Sequence, residues 1–179
     1  MSESEAPMAP LDLHGRSVDS DEQGMALALE LAAQAAQAGE VPVGAVIVAD
    51  GVVIGAGANA PITSLDPTAH AEVTAIRDAA KNIGNYRLSG ATLYVTVEPC
   101  SMCAGAIVLS RVARVVYGTT EPKAGVAESA EEFFSKPFLN HRTELLGGVE
   151  AEACSAIMTE FFAARRAGKK RLKKATPAD

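Results

Sequence analysis

The spacing of one histidine, one glutamate and two cysteines constrains this chain more than any other feature. The sequence H-A-E begins at His70, and P-C-S-M-C begins at Pro99. One histidine and two cysteines give a zinc ion three protein ligands and leave its fourth tetrahedral position open, as in catalytic rather than structural zinc sites. We therefore expect one Zn²⁺ per chain, held by His70, Cys100 and Cys103. Glu72 is then expected beside the open position as a proton carrier.

Both parts of this motif are expected at the start of a helix. Cys100 and Cys103 follow a proline, so a helix with Pro99 at its first position would place both sulfur atoms on one side of its first turn. Asp66-Pro67 has the composition of an N-cap followed by proline, and predicts a helix with the H-A-E sequence in its opening turns. The partial positive charge of a helix N-terminus also favours the thiolate that binds zinc. Two helix N-termini are therefore predicted to meet at one metal ion.

Other sites can also use a Cys-x-x-Cys sequence. It occurs alone in thioredoxin-like dithiols and in zinc knuckles. The H-A-E sequence favours catalytic zinc, because a redox dithiol needs no such partner. A structural zinc site would need a fourth His or Cys. Cys154 lies in an amphipathic C-terminal helix and is expected to be a small buried residue, whereas His14 and His141 are expected in solvated segments.

The composition indicates one globular domain. The chain has 179 residues, of which 48% are hydrophobic, and this is enough for one substantial core. Its three cysteines, two of them assigned to metal, leave no disulfide framework, and its acidic start lacks the pattern of a signal peptide. The hairpin-turn sequence Asp50-Gly51 divides the apolar stretch 41–62 into runs too short to span a membrane. We therefore expect a cytoplasmic protein without a membrane segment.

Basic residues cluster near the end of the chain. The formal net charge of −6 argues against a surface that binds nucleic acid generally. The clustered residues are Arg165, Arg166, Lys169, Lys170, Arg171, Lys173 and Lys174. Such a run is either a solvated tail or a surface for phosphate groups, and it suits phosphate contact better if the upstream domain acts on nucleic acid.

The order of hydrophobic patterns predicts an α/β fold. Residues 1–18 are predicted to be a disordered tail, 19–168 the folded domain and 169–179 a basic C-terminal tail. Predicted helices cover 20–38, 66–82, 101–110 and 150–168, with a short helix in 119–140; predicted strands cover 43–49, 52–58, 92–97, 113–118 and 143–146. This order predicts a three-layer α/β/α arrangement around a central mixed sheet that is largely parallel, with one antiparallel strand from the hairpin. The metal site is then expected at the carboxyl ends of the parallel strands.

Several stretches resemble the bacterial tRNA-specific adenosine deaminases of the cytidine deaminase-like superfamily. They are residues 39–45, 59, 66–72, 85–88, 96–106, 110–111, 115–118, 140–142, 161–162 and 165–166, which together span most of the chain. H-x-E followed by P-C-x-x-C is also the zinc motif of nucleobase deaminases. The resemblance implies a cytidine deaminase-like fold and a zinc-dependent deaminase domain. It further implies hydrolytic deamination of adenosine to inosine at the wobble position of a tRNA anticodon, by a homodimer.

The resemblance also implies the roles of individual residues. Glu72 would be the catalytic proton shuttle beside the zinc. The expected substrate-binding residues are Asn59, Ala71, Glu121, Arg165 and Arg166, and the expected partner is a tRNA anticodon stem-loop. Thr120-Glu121 stands where several relatives have Arg-Asp, in a loop close to the substrate backbone. Glu121 can still accept a hydrogen bond from a 2′-hydroxyl, although its side chain is one methylene longer.

Two other functions are alternatives. Residues 66–77 also resemble bacterial guanine deaminases, so deamination of free guanine or of a nucleoside is the nearest alternative. Phe161-Phe162 and the basic end of that helix favour a polynucleotide, because a small-molecule enzyme does not need them. The non-enzymatic alternative is a zinc-stabilised RNA-binding module, against which Glu72 argues, because a structural site gains nothing from a carboxylate at an open position.

The predicted helix 101–110 bears on the oligomeric state. Its residues are apolar on all sides rather than along one stripe. One side is therefore expected to pack on the sheet and another on the second subunit of a homodimer.

Overall fold

The computed structural model describes the backbone of residues 11–175 and the side chains of residues 11–169. The elements are α1 Asp21–Gln37, β1 Gly44–Ala49, β2 Val52–Ala58, α2 Pro61–Ser64, α3 Ala71–Ile83, β3 Thr92–Val97, α4 Ser101–Leu109, β4 Arg114–Thr119, a 3-10 turn Phe133–Ser135, β5 Glu144–Gly147 and α5 Ala151–Ala175. Among these helices, none combines the length and the apolar character that crossing a bilayer requires.

The five strands form one mixed sheet in the order β2-β1-β3-β4-β5. β1 pairs antiparallel with β2 and with β3, whereas β3, β4 and β5 pair in parallel. Asp50 and Gly51 both have positive φ, 49° and 75°, and they form the tight β1–β2 hairpin that their sequence predicts. The prediction of a mixed, largely parallel α/β sheet is confirmed, and its antiparallel strand β1 lies inside the sheet.

Helices cover both faces of this sheet and so produce three layers. Side chains alternate along each strand, so Ile47 and Leu93 pack in the core beneath α3 and α4. Val46 and Tyr94 point to the opposite face, where they pack with α1 and with Cys154 of α5. The predicted three-layer α/β/α architecture is therefore confirmed.

Residues 11–18 form an ordered strap rather than a tail. Leu13 is only 1% exposed, and Val18 is also buried. The Gly15 N–H donates to the Val53 carbonyl at 2.9 Å, and Ser17 forms a bridge with Val52. The prediction of disorder through residue 18 is therefore wrong for 11–18, because isolated apolar residues anchor the strap without any periodic pattern. Residues 1–10 lie outside the described part.

Two predicted helix starts differ from the observed ones. Asp66 does not cap a helix, because its Oδ1 accepts from the Thr68 N–H at 2.8 Å and from the Thr68 hydroxyl at 2.7 Å. α3 begins later, with His70 as its N-cap. α4 has Cys100 as its N-cap, so Pro99 precedes the helix instead of occupying its first position.

The last helix is longer than predicted. α5 continues to Ala175 instead of ending near Gly168. Lysine and arginine are good helix formers, so the basic run continues the helix without a break. Most of the predicted basic tail 169–179 is therefore helical, and residues 176–179 lie outside the described part.

Candidate metal centre

Three metal-binding atoms lie together at the carboxyl end of β3. His70 Nδ1 is 3.7 Å from Cys100 Sγ and 3.6 Å from Cys103 Sγ, and all three atoms lie within 4.8 Å of one another. A tetrahedral zinc with Zn–N near 2.0 Å and Zn–S near 2.3 Å separates its nitrogen and sulfur ligands by about 3.5 Å. The three side chains therefore fit zinc, and their location at the strand ends agrees with the prediction.

Two helix starts bring these ligands together. His70 is the N-cap of α3, Cys100 is the N-cap of α4, and Cys103 lies in the first turn of α4. Neither N-cap side chain bonds to the backbone of its own helix, so both are available to a ligand. The predicted meeting of two helix N-termini is confirmed, although the capping residues differ from those expected.

A glycine in β2 sets the position of the α3 start. A Cβ at Gly57 would lie 2.3 Å from the Ala71 carbonyl oxygen and 2.6 Å from the Ala75 nitrogen. Any side chain there would push the first turn of α3 away from the sheet. Gly57 therefore allows the close approach that holds His70 and Glu72 near the strand ends.

A hydrogen bond connects the two cysteine side chains. A hydrogen bond from the Cys103 thiol, together with the nearby His70, lowers the pKa of Cys100 to about 4. The same hydrogen bond and burial raise the pKa of Cys103. The hydrogen bond with Cys100 raises the pKa of His70. Cys100 is therefore the more acidic of the two thiols, and zinc would bind both cysteines as thiolates.

Glu72 is a buried carboxyl group beside the three ligands. It lies in the first turn of α3 and is 4% exposed. Burial raises the pKa of Glu72 to about 7, and the adjacent Cys100 thiolate adds to this increase. A carboxyl group with a pKa near neutrality can both accept and donate a proton during a reaction at neutral pH. The arrangement can therefore perform acid/base chemistry next to a metal ion.

Asn59 and Ala71 are brought together at the same edge. The Asn59 side-chain oxygen accepts the N–H of Ala71 at 2.9 Å. Ala71 therefore has no free backbone donor for a substrate. The amide nitrogen Nδ2 of Asn59 is left as a hydrogen-bond donor on the half-buried wall of the site.

The other expected substrate-binding residues lie farther out. Glu121 is half-buried in the loop after β4, and its Oε1 accepts the Lys123 N–H at 3.0 Å. Arg165 and Arg166 lie on the exposed part of α5, where Arg165 stacks over the Phe161 ring at 5.4 Å. In the described part of the chain, no hydrogen bond or ion pair connects these arginines to the metal centre.

Sequence reasoning missed two buried carboxylates near the site. Glu40 Oε1 accepts the Thr63 N–H at 2.6 Å and holds the segment after Asn59. Glu98, directly before Pro99, accepts several hydrogen bonds from the loop after β4. Burial raises the pKa of Glu98, but the hydrogen bonds from Ser129 and from backbone N–H groups outweigh it, and the net pKa is lowered. The position of Glu98, a charged residue directly after the buried strand β3, was the sequence feature that could have indicated a buried carboxylate.

The remaining histidines and cysteine are not part of the centre. The Cys154 side chain is fully buried, as predicted, and burial raises its pKa to about 11. His14 Nε2 contacts Asp78 at 2.8 Å, and His141 Nε2 contacts the Val112 carbonyl at 2.8 Å. Among residues with described side chains, the metal group contains one histidine and two cysteines and no fourth ligand of this kind.

Comparison with known proteins gives consistent similarities. Residues 18–119 match the family model of the cytidine and deoxycytidylate deaminase zinc-binding region. The tRNA-specific adenosine deaminase of Haemophilus influenzae is 52% identical over 151 residues, which are 84% of this chain and 87% of that protein. A structure solved in work on A-to-I editing by tRNA:A34 deaminases at the wobble position of transfer RNA is 45% identical, with a TM-score of 0.73, and the match covers 75% of this chain and 97% of that one. Guanine deaminase from Bacillus subtilis is 38% identical, with a TM-score of 0.54 and coverage of 79% and 93%.

Proposed function

Because the chain belongs to the cytidine and deoxycytidylate deaminase zinc-binding family, and within it to the tRNA-specific adenosine deaminases, we propose that it deaminates adenosine at the wobble position of a tRNA anticodon. The product is inosine, and the reaction consumes water and releases ammonia. The observation that carries this function is the buried Glu72 beside the ligands His70, Cys100 and Cys103. Among the solved structures, the higher identity to the structure from work on tRNA:A34 deaminases, 45% against 38% for a guanine deaminase, favours adenosine in tRNA over free guanine.

The side chains of this site divide the chemistry between them. His70, Cys100 and Cys103 hold the zinc, which when bound makes a water molecule acidic enough to serve as the nucleophile at neutral pH. Glu72 accepts a proton from the attacking water and donates it to the purine ring nitrogen. It then accepts the second proton of the same oxygen atom and donates it to the departing amine, which leaves as ammonia. Its burial beside the three ligands keeps this proton transfer away from bulk water.

The hydrogen-bonding groups around the metal centre indicate how a substrate would be bound. Asn59 has its side-chain oxygen bonded to Ala71, so its Nδ2 is the donor that meets an acceptor on the purine. The site is reachable because a wobble base is single-stranded and swings out at little cost. Glu121 faces the ribose-phosphate backbone, and Arg165 and Arg166 contact phosphates of the anticodon stem.

A homodimer in the cytoplasm is the assembly and location that we propose. Leu109 at the end of α4 is 72% exposed, whereas Ile107 of the same helix is fully buried, and the loop residue Phe138 is 73% exposed. Pairing through α4 would cover such apolar area. The three unpaired cysteines suit a reducing compartment, where a tRNA substrate is also found.

The function is tested by sequencing wobble positions after incubation of tRNA with the zinc-loaded protein. Inosine pairs as guanosine, so an A-to-G change at the wobble position is expected. Matched anticodon stem-loops with adenosine at a neighbouring loop position are expected to stay unmodified. Ammonia release from guanine, with RNA left untouched, would assign the protein to the small-molecule deaminases. RNA binding without any inosine would assign it to the binding modules.

A further inference from the structure

One buried carboxylate gathers the loop that follows β4. This loop, residues 120–129, is called the β4 loop. Glu98 Oε1 accepts the N–H groups of Ala127 at 3.0 Å, Glu128 at 2.8 Å and Ser129 at 2.9 Å. Glu98 Oε2 accepts the Glu121 N–H at 2.9 Å and the Ser129 hydroxyl at 2.5 Å. Both ends of the β4 loop are therefore bound to a single side chain, which is 3% exposed.

The backbone beside Glu98 is bound to the same loop. The Glu98 N–H donates to the Thr119 carbonyl at 2.9 Å, and the Val126 N–H donates to the Pro99 carbonyl at 2.9 Å. Cys100 itself forms a bridge with Gly125. The segment that supplies a metal ligand is thus also the segment that fixes the β4 loop.

The middle of the loop is shaped to fit this carboxylate. A Cβ at Gly125 would lie 2.3 Å from Glu98 Oε2 and 2.7 Å from the Glu121 carbonyl oxygen. Only glycine lets the loop close so tightly around the Glu98 side chain. The packing therefore depends on Glu98 and Gly125 together.

A carboxylate is needed here, because all five groups that meet it are donors. Glutamine could keep one carbonyl oxygen against the Ala127–Ser129 end of the loop. Its NH₂ group would then face the Glu121 N–H, and two donors cannot bond to each other. Ser129 could turn its hydroxyl to accept from that NH₂ group, but the backbone of Glu121 has no such choice.

We propose that Glu98 is a positioning residue for RNA: it holds the β4 loop, and Glu121 within it, at a fixed place relative to the ligand Cys100. This inference rests on the proposed function, in which Glu121 meets the substrate backbone. None of the described contacts joins Glu98 to Glu72, or to the nitrogen and sulfur atoms that would bind the metal. Its loss therefore loosens substrate binding more than it affects the chemical step.

The test compares Glu98→Gln with the wild-type protein and with Glu132→Gln, a matched change at an exposed position just after the loop. Zinc content, melting temperature, amide hydrogen exchange of the β4 loop, and kcat and KM on an anticodon stem-loop are measured. Because a charge-assisted hydrogen bond is lost, exchange at the Glu121 amide is expected to accelerate about tenfold, more than at Ala127 to Ser129. KM is expected to rise about tenfold with kcat within about threefold, since positioning affects binding of the polymer. Glu132→Gln is expected to match the wild type.

Other outcomes would overturn the proposal. Loss of zinc in parallel with activity would make Glu98 a support of the metal ligands, and an unchanged Glu121 exchange rate or an unchanged KM would remove the positioning role. If Glu98→Gln fails to fold, Ser129→Ala removes one donor only and should shift KM and loop exchange in the same direction by a smaller factor. If the wild type leaves RNA unmodified, the proposed function fails, whereas exchange and zinc content still report on the loop.

Discussion

The side-chain oxygen of Asn59 accepts the backbone N–H of Ala71 at 2.9 Å, and Ala71 stands between the metal ligand His70 and Glu72, the proposed proton carrier. Asn59 therefore accepts the first N–H of α3, at a helix start where the His70 side chain makes no capping hydrogen bond. In the proposed function, the same amide group also meets the substrate through Nδ2.

These two roles of Asn59 can be separated by substitution. Asn59→Asp keeps an oxygen for Ala71 but loses the Nδ2 donor, so stability is expected to hold while kcat/KM falls. Asn59→Ala loses both, and it is expected to cost about 1 kcal/mol of unfolding free energy in addition, as for a removed helix cap. Urea unfolding and kinetics on a stem-loop measure the two effects. Full activity in Asn59→Asp would leave Asn59 with a purely structural role.

Metal binding and proton transfer are also separable. Cys103→Ala is expected to lose zinc, because two remaining protein ligands hold the ion too weakly. Glu72→Gln preserves the shape of the side chain, and is expected to keep one zinc and a near-native melting temperature while kcat falls at least about a hundredfold. Metal analysis, thermal unfolding and single-turnover kinetics distinguish the variants. A Glu72→Gln protein with near-full activity would show that the proton carrier lies elsewhere.

The exposed end of α4 predicts the effect of a charge at the proposed dimer interface. Leu109→Glu is expected to convert a dimer into a monomer at micromolar concentration, because a carboxylate would be buried without a partner. Ile62→Glu on α2 is the matched control, since Ile62 is also exposed and lies on a different element. Sedimentation equilibrium measures the outcome. A wild-type protein that is both monomeric and fully active would contradict this assembly.

The ion pair between Asp21 and Arg114 predicts a dependence of stability on pH. Two hydrogen bonds, of 2.7 Å and 2.9 Å, connect their side chains, and Arg114 holds the pKa of Asp21 below its usual range. The stabilisation is complete above the unfolded-state pKa, about 3.9, and is lost as the pH falls toward the lower folded-state pKa.

Asp21→Asn isolates this contribution. The variant is expected to be less stable than the wild type by about 2 kcal/mol at pH 7, a typical value for a charge-assisted bond. The gap should stay constant down to about pH 4 and narrow below it. Urea titrations between pH 7 and pH 3 test this, and a gap that widens in acid would show that Asp21 has the opposite effect.

The basic surface of α5 predicts how RNA binding responds to salt. Changing both Arg165 and Arg166 to alanine is expected to raise KM for tRNA and to lower the slope of log K against log salt concentration by about 2, one for each phosphate contact. Arg16→Ala on the strap removes one positive charge and is compared with the single change Arg165→Ala, as the control for net charge. An unchanged slope would place the phosphate contacts on another surface.

The metal ligands could be predicted because zinc chemistry restricts residue type and spacing together. Helix starts could not be predicted as well, because the same residues serve competing local structures. Asp66 followed by Pro67 satisfies the rule for a helix N-cap, yet its carboxylate bonds to Thr68 in a turn that ends before α3 begins.

The proposed role of Glu98 could not be predicted from local sequence patterns, because its partners are distant in the sequence. Its partner Ser129 is separated from it by 31 positions, and the contact exists only after β3 and β4 have paired. The strap at 11–18 is similar, because Leu13 is buried by α1 and β2 and not by its own neighbours. Long-range burial of single residues leaves no periodic signal in a sequence.

Cys100 and Cys154 differ in their accessibility to thiol reagents, and this difference can be used to measure how much of the protein contains metal. Cys154 is enclosed in the core with a raised pKa of about 11, so alkylating reagents react with it only on unfolding. Cys100 is partly exposed at the metal centre, so reagents reach its sulfur in folded protein when no zinc is bound to it. Zinc would mask that sulfur. The number of rapidly alkylated thiols in the folded protein therefore measures the fraction of chains that lack their metal.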